Sequence, residues 1–337
     1  MVFFKILNRN ITILCVIVGV NALSPALFQP ANAQDRVANY PSKPIRIITG
    51  SAPGGPLDFS ARLAAQKIAE AFGLPAVVEP RTGASGTIAG EYVAKSAPDG
   101  HTLGLGSMAT LCVVPHLYPK IGYDSLRDFA PVIIVAAVDF LVVTHPSVPA
   151  RHLKELIAIA KASPGKLSFG TAGAGSVTHL GIELLKSMAG VNFLHVPYKG
   201  AAPALIDLIG GQVDLMYDSV LTAMPHTKSG RIRALALGSA QRSPLLPQIP
   251  TVAESGLPGF DASTWFGIVA PAATPRDIVN RLNATIVKGV SDKAVTQRLL
   301  DQGLSPVLNT PEDFSNRIKE DLPRWGKVIK AAGIKAN

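Results

Sequence analysis

Charged residues, cysteines and long hydrophobic runs are all scarce in this chain of 337 residues. Charged side chains make up only 16% of it, but the apolar fraction of 47% is too high for an intrinsically disordered protein. The most apolar segment, residues 11–20, is shorter than the ~20 residues of a membrane-spanning helix, which excludes a polytopic membrane protein. The length predicts about two domains.

The N-terminal segment has the pattern of a cleaved export signal, which we predict to span residues 1–33. Two basic residues and no acidic one precede the apolar residues 11–20, and Ala-Asn-Ala at 31–33 matches the small-residue cleavage pattern. The alternative is an uncleaved anchor helix. The pattern predicts a periplasmic protein whose mature chain begins at Gln34.

The two cysteines are too few for a disulfide framework. Cys15 lies in the expected signal, so Cys112 would stand alone and is predicted to be a small buried core residue. The seven histidines form neither a His-Glu-x-x-His motif nor a cluster with cysteine, so we expect no metal site and no cofactor. The net charge of +9 is too diffuse for a nucleic-acid partner but suits a small anionic ligand.

Short apolar strands alternate with amphipathic helices along the chain. In the first block, residues 45–48, 76–79 and 102–105 are predicted strands, and a helix that ends near Phe72 separates the first two. The same alternation continues over residues 140–237. It predicts an α/β fold of two parts, each a mostly parallel sheet flanked by helices.

The two α/β blocks have no linker between them, which fits two lobes joined by crossing strands. We expect lobe one to comprise residues 40–139 and 260–337, and lobe two residues 140–259. The first crossing could lie as late as Lys166. The lobes would then be discontinuous in sequence.

The C-terminal part is predicted to be helical, with two marked helix starts. Thr274 and Thr310 each precede a proline and an acidic residue, the pattern of an N-cap followed by proline at the first helical position. The preceding residues 239–259 are rich in proline and glycine, and they are predicted to form a long loop with one helical turn near Val252.

Three strand-to-helix turns offer backbone N–H groups to an anion: residues 52–58, 170–179 and 198–202. Glycines there let the backbone approach a ligand, and a helix N-terminus favours a carboxylate or phosphate. The alternatives are structural. Asp58 would cap an ordinary turn, and His179 would bond a neighbouring backbone or hydroxyl group.

Two further features suggest other chemistry and are set aside. Residues 104–109 have the glycines of a dinucleotide fingerprint, but Pro115 and Pro119 leave too little room for its helix, so Ser107 and Thr110 stay as candidate polar contacts. Residues 83–86 lack the last glycine of a nucleophile elbow. The residues alone do not decide between binding and catalysis.

Ordered motifs over essentially the whole mature chain resemble one family, the extracytoplasmic solute receptors of the tripartite tricarboxylate transporters, or Bug family. They include Ala-Pro-Gly-Gly at 52–55, Val-Pro-Tyr-Lys-Gly-Ala at 196–201 and Trp-Phe-Gly-Ile-Val-Ala-Pro at 265–271. The other matching stretches are residues 40–48, 97–101, 128–131, 187–190, 210–216 and 250–256.

The resemblance implies a periplasmic binding protein, type II-like, whose two lobes close like a flytrap. Such a protein is not an enzyme. It would be a monomer that binds a small carboxylate and delivers it to membrane transporter subunits. One alternative is a stand-alone sensor of the same fold that acts on a signalling partner. The other, a secreted hydrolase, is disfavoured because no triad or metal motif is found.

The resemblance also implies a site in which a carboxylate lies at residues 53–55 and lobe two sets specificity. The candidate ligand-binding residues are Ser51, Ala52, Pro53, Gly54, Gly55, Asp58, Ser107 and Thr110 in lobe one, and Thr171, Ala172, Gly175, Ser176, His179, Tyr198, Gly200 and Asp218 in lobe two. Thr-Gly-Ser at 49–51 replaces the family's usual Val-Pro-aromatic, and Leu57 and Ser219 also depart from it. These departures leave the identity of the carboxylate open.

Overall fold

Two β-sheets organise the chain in a computed structural model that describes residues 39–118, 120–243 and 246–335. The expected signal at residues 1–33 lies outside the described residues. The first sheet has six strands in the order β11-β4-β10-β3-β1-β2. They are β1 (Ile45–Thr49), β2 (Ala76–Pro80), β3 (Thr102–Ser107), β4 (Phe129–Val138), β10 (Thr264–Pro271) and β11 (Leu304–Pro306).

The second sheet has five strands in the order β7-β6-β8-β5-β9. They are β5 (Phe140–Thr144), β6 (Ser168–Thr171), β7 (Leu194–Pro197), β8 (Leu215–Ser219) and β9 (Arg233–Leu237). The α-helices are α1 (Pro56–Phe72), α2 (Thr87–Ala94), α3 (Val114–Leu117), α4 (Leu153–Ala162), α5 (Val177–Ala189), α6 (Ala201–Ile209), α7 (Val220–Lys228), α8 (Arg276–Val290), α9 (Lys293–Asp301) and α10 (Pro311–Ala331). No helix among the described residues is both long and apolar enough to cross a membrane.

The α/β class is confirmed, but the expectation of mostly parallel sheets is wrong. β1 pairs in parallel with β2 and β3, and β6 pairs in parallel with β7 and β8. The other strand pairs in both sheets are antiparallel. In the first sheet the physical reason is two long strands that the sequence analysis did not assign: β10 pairs antiparallel with β3, and β4 pairs antiparallel with β10.

The chain passes between the sheets twice. β4 ends at Val138, and after the single residue Asp139 the chain continues as β5 in the second sheet. It leaves the second sheet after Leu237 and returns to the first at Thr264. Sheet membership is therefore discontinuous along the sequence.

Apolar side chains fill both sides of the first sheet. Ala61, Ala64 and Ile68 on α1 are fully buried or nearly so, and they pack in one core with Ile45 and Ile47 of β1. This periodic face explains why α1 forms where it was predicted. Cys112 is a free, fully buried residue in a second core, as expected.

The two predicted helix caps have different outcomes. Thr310 accepts a hydrogen bond from Asp313 N, and Asp313 bonds back to Thr310 N, so this cap is confirmed. The Thr274 cap is wrong, because Pro275 has an extended ψ of 136° and takes the cap position itself, which starts α8 at Arg276. One turn lies near Val252, as predicted, and it is closed by a hydrogen bond from Ser255 N to Thr251 O (3.0 Å).

Candidate functional site

The predicted site residues collect at one edge of each sheet. Because β1, β2 and β3 run parallel, the loops that follow them leave from the same edge of the first sheet. The loops after β6, β7 and β8 share an edge of the second sheet in the same way. Ligands of α/β proteins bind outside the carboxyl ends of such strands.

The loop after β1 turns at Gly54, whose φ of +95° few L-residues adopt. Asp58, in the first turn of α1, accepts hydrogen bonds from Gly54 N (3.0 Å) and from Arg62 Nε (2.8 Å). The bond from Arg62 outweighs the effect of burial and lowers the pKa of the Asp58 carboxyl. Asp58 therefore stabilises the turn, as the structural alternative predicts, and the Gly54 N–H group is already hydrogen-bonded to its carboxylate.

Other donors remain at this end of α1. Gly55 is the N-cap, with an extended φ of −88°, and Pro56 follows it without an N–H group. First-turn N–H groups have no partner inside a helix, so those of Leu57 and Asp58 have no intrahelical acceptor, although Asp58 is only 4% exposed. Residues 52–54 are exposed beside them.

A cavity of about 280 Å³ lies next to this loop and is lined by Ser51, Ser107 and Thr110. Ser107 and Thr110 bond each other, from Ser107 N to Thr110 Oγ1 (2.9 Å) and from Thr110 N to Ser107 Oγ (3.1 Å). Ser51 Oγ lies 3.1 Å from Thr49 Oγ1. The structure therefore brings three predicted residues from two loops around one space.

The sequence analysis missed residues 83–86 as part of this cavity. Ser85 has a φ of +56°, which is strained for a residue other than glycine, and its Oγ lies 2.9 Å from Tyr118 Oη. A Cβ at Gly50 would meet Gly86 Cα at 2.6 Å, so the two loops touch through their glycines. The Gly-Ala-Ser-Gly sequence directly after β2 was the signal that could have indicated this segment.

The loop after β6 is held by internal hydrogen bonds. Ala172 N donates to Thr178 Oγ1 (2.8 Å), and Gly175 N donates to His179 Nδ1 (3.1 Å). Ser176 caps α5 by accepting a bond from His179 N (3.2 Å). The first-turn N–H groups of the next two residues, Val177 and Thr178, have no intrahelical acceptor, and Thr178 is 5% exposed.

Four predicted side chains near the edge of the second sheet are hydrogen-bonded to, or stacked on, other side chains of this protein. Thr171 Oγ1 lies 2.7 Å from His195 Nε2, and the His179 ring is buried and stacks on His195.

Asp218 is 1% exposed and accepts a bond from the Thr222 hydroxyl, and burial raises the pKa of its carboxyl. Tyr198 donates to Asp207 Oδ2 (2.7 Å). Their direct contact with a ligand stays a prediction.

The turn before α6 is open to solvent. Gly200 is its N-cap, with a φ of +118°, and the neighbouring Lys199 is exposed. The segments 50–58 and 170–179 contain no lysine or arginine. An anion at these loops would therefore be bound by backbone N–H groups and helix dipoles. Among the described residues, no three His, Cys, Asp or Glu side chains are grouped in a way that would hold a metal ion.

A family model and related proteins match most of this chain. A model of the Tripartite tricarboxylate transporter family receptor matches residues 60–334. Protein BugT of Bordetella pertussis is 38% identical over 327 residues, which cover 97% of this chain and 99% of BugT. A protein of Pseudomonas sp. strain P51, encoded in the tcbD–tcbE intergenic region, is 39% identical over 313 residues and 93% of each chain.

Solved structures share the fold over nearly their whole length. A protein of Rhodopseudomonas palustris with adipate has a TM-score of 0.69 and 38% identity, and the match covers 88% of this chain and 99% of that one. MatC of the same species, with bound malate, has a TM-score of 0.65 and 34% identity over 86% and 100%. A solute-binding protein of Polaromonas without ligand has a TM-score of 0.80 and 27% identity over 87% and 99%. These neighbours confirm the fold expected from the resemblance.

Proposed function

Because this chain belongs to the family of tripartite tricarboxylate transporter receptors, we propose that it binds a small carboxylate between two lobes and delivers it to a membrane transporter. It acts in the periplasm as a monomeric receptor and returns its ligand chemically unchanged. Lobe one comprises residues 40–139 and 260–337, and lobe two residues 140–259. The change of sheet at Asp139 and the return at Thr264 support this division.

The observation that carries the proposal is the pair of helix N-termini, one at each sheet edge, whose first-turn N–H groups have no intrahelical acceptor. The N–H groups of Leu57 and Asp58 serve lobe one, and those of Val177 and Thr178 serve lobe two. A ligand with a carboxylate at each end suits one such terminus in each lobe. The similar R. palustris proteins hold adipate and malate, which are both dicarboxylates.

The test is to identify the ligand that the protein carries. Native mass spectrometry of the protein, purified mildly from the periplasm, should show one small carboxylic acid per chain. Calorimetric titration with that acid should give one site, and the acid should be recovered intact. Failure to bind any mono-, di- or tricarboxylate, or conversion of the acid to a product, would overturn the proposal. Uptake of the labelled acid by membrane vesicles that contain a tripartite tricarboxylate transporter should require this protein.

Lys199 should contribute little to this binding. Its side chain is exposed, and an exposed charge contributes little to binding because water screens it. Lys199→Ala should therefore lower ligand affinity by less than about threefold. Calorimetry with the identified acid measures this. Loss of binding in this variant would mean that a side-chain ion pair carries recognition.

The mature protein should begin at Gln34, because cleavage is expected after the Ala-Asn-Ala sequence. Intact-mass analysis of the periplasmic form provides the measurement. A periplasmic protein that retains Met1 would contradict a cleaved signal.

A further inference from the structure

His179 holds the loop in front of α5 through an unusual acceptor. Gly175 N donates to His179 Nδ1 (3.1 Å), and the hydroxyl of the N-cap Ser176 accepts from His179 N (3.2 Å). A backbone N–H group can only donate, so Nδ1 must be the unprotonated nitrogen of the ring. The ring hydrogen therefore sits on Nε2.

A carboxylate has this reciprocal role at another helix start of the chain. At α10, Asp313 Oδ2 accepts from Thr310 N (2.9 Å), while the Thr310 hydroxyl accepts from Asp313 N (3.1 Å). A carboxylate remains an acceptor at every pH at which it is ionised. An imidazole nitrogen stops accepting as soon as it takes up a proton.

The surroundings of His179 determine where a proton would go. Its Nε2 lies 3.6 Å from Glu183 Oε1 on the same helix, and Lys186 Nζ lies 2.7 Å from that oxygen. His195 of β7 stacks on His179 with ring centroids 3.9 Å apart, and Lys335 beyond α10 lines a surface cavity together with both histidines. Burial and the neighbouring His179 lower the pKa of His195 to about 4, so His195 stays neutral. Glu183 is thus the carboxylate that faces His179 Nε2.

We propose that His179 is a positioning residue that makes carboxylate binding depend on pH. When Nδ1 is protonated, its new N–H group faces the Gly175 N–H group, and the hydrogen bond between them is replaced by repulsion. Glycines at 173 (φ +123°) and 175 (φ +74°) leave the backbone of the loop other conformations to adopt once that bond is lost. Residues 172–176 then move away from the N-terminus of α5, and the affinity for the carboxylate falls as the pH falls. This inference rests on the proposed function, because that loop is the lobe-two part of the proposed site.

The hydrogen bond can be tested without a ligand. In the ¹⁵N-labelled mature chain, a scalar coupling between Gly175 N and His179 Nδ1 should be present at high pH. It should disappear in step with the protonation of His179, which the ring ¹⁵N shifts report. Absence of the coupling at high pH, or its persistence after His179 is protonated, would overturn the switch.

The effect on binding can be tested with adipate as the probe, by calorimetry at pH 8 and at pH 5.5. His179→Asn keeps an acceptor oxygen near the position of Nδ1 but does not titrate, so its pH dependence reports only protonation of the probe. His152→Asn, at the exposed start of α4, is the matched control. Between the two pH values, the wild type and His152→Asn should lose about threefold to tenfold more affinity than His179→Asn, the range of one hydrogen bond.

Equal losses in all three proteins would overturn the inference. A chain that binds no adipate even at pH 8 would exclude adipate as its ligand without contradicting the binding of another small carboxylate. The coupling measurement would still decide whether His179 switches the loop, so the two failures are distinguishable.

Discussion

Replacing Gly54 by valine is expected to lower carboxylate affinity by more than about tenfold, or 1.4 kcal/mol. The φ of +95° at Gly54 is a backbone conformation that a β-branched residue avoids, at a cost of about 1–2 kcal/mol. No heavy atom lies within 4 Å of a Cβ built there, so the variant suffers strain without a clash. The loop should relax by moving, which breaks the bond from Gly54 N to Asp58 and displaces the first-turn N–H groups of α1. Calorimetry with the identified acid measures the loss.

Gly73→Val is the matched control for this experiment. Gly73 ends the same helix, α1, with a φ of +69° and no heavy atom within 4 Å of a built Cβ. It therefore carries the same kind of strain, but it lies about 25 Å from the loop, the length of a helix of 17 residues. Both variants should fold with slightly reduced stability, and only Gly54→Val should lose affinity. Equal affinity in the two variants would mean that the loop is not part of the site.

Replacing Asp321 by asparagine should lower the free energy of unfolding by about 3 kcal/mol. Asp321 is completely buried and accepts bonds from Trp265 Nε1 (2.7 Å) and Arg317 Nε (2.7 Å). It also pairs with Arg324. Arg317 keeps a second carboxylate partner, Asp261 (Nη1 to Oδ2, 2.6 Å), but Arg324 loses the carboxylate with which it pairs, and its positive charge stays in a largely buried place. Urea unfolding of the purified protein measures the change.

Asp99→Asn is the control for Asp321→Asn. Asp99 pairs with Lys43 at 2.9 Å, but both side chains are well exposed, and exposed ion pairs contribute about 0–1 kcal/mol. The same chemical change should therefore lower stability by at most about 1 kcal/mol there. A loss of stability no larger than this in Asp321→Asn would show that the bonds of Asp321 to Trp265, Arg317 and Arg324 do not stabilise the fold.

The regular elements were largely predictable where periodicity and turn residues agree. The helix that ends at Phe72 has a continuous apolar face and is closed by Gly73, and the predicted strands at 45–48 and 76–79 each extend one residue further in the structure. β4 and β10 were missed because strands buried on both faces are continuous apolar runs without alternation. Sequence patterns give no direction of pairing, so the antiparallel half of each sheet was missed as well.

The loops of the candidate site were predictable, but their internal bonding was not. Glycines between a strand and a helix start indicated residues 52–58 and 170–179 correctly as N-terminal turns. The use of the Gly54 and Gly175 N–H groups by Asp58 and His179 depends on side-chain orientation, which the sequence does not give. The contact of residues 83–86 with Gly50 joins separate loops and needed the assembled sheet.

The sequence by itself determined the α/β class, the lone buried Cys112, the Thr310 cap and the glycine turns at the strand ends. Each of these depends on neighbours in the chain or on composition, so local chemistry is sufficient. The tertiary structure alone decided the mixed strand order, the passage between sheets at Asp139, and which N–H groups an anion can reach. These depend on contacts between residues far apart in sequence, such as Asp139 with Ser305 and Trp265 with Asp321, which form only when the two sheets and α10 pack together.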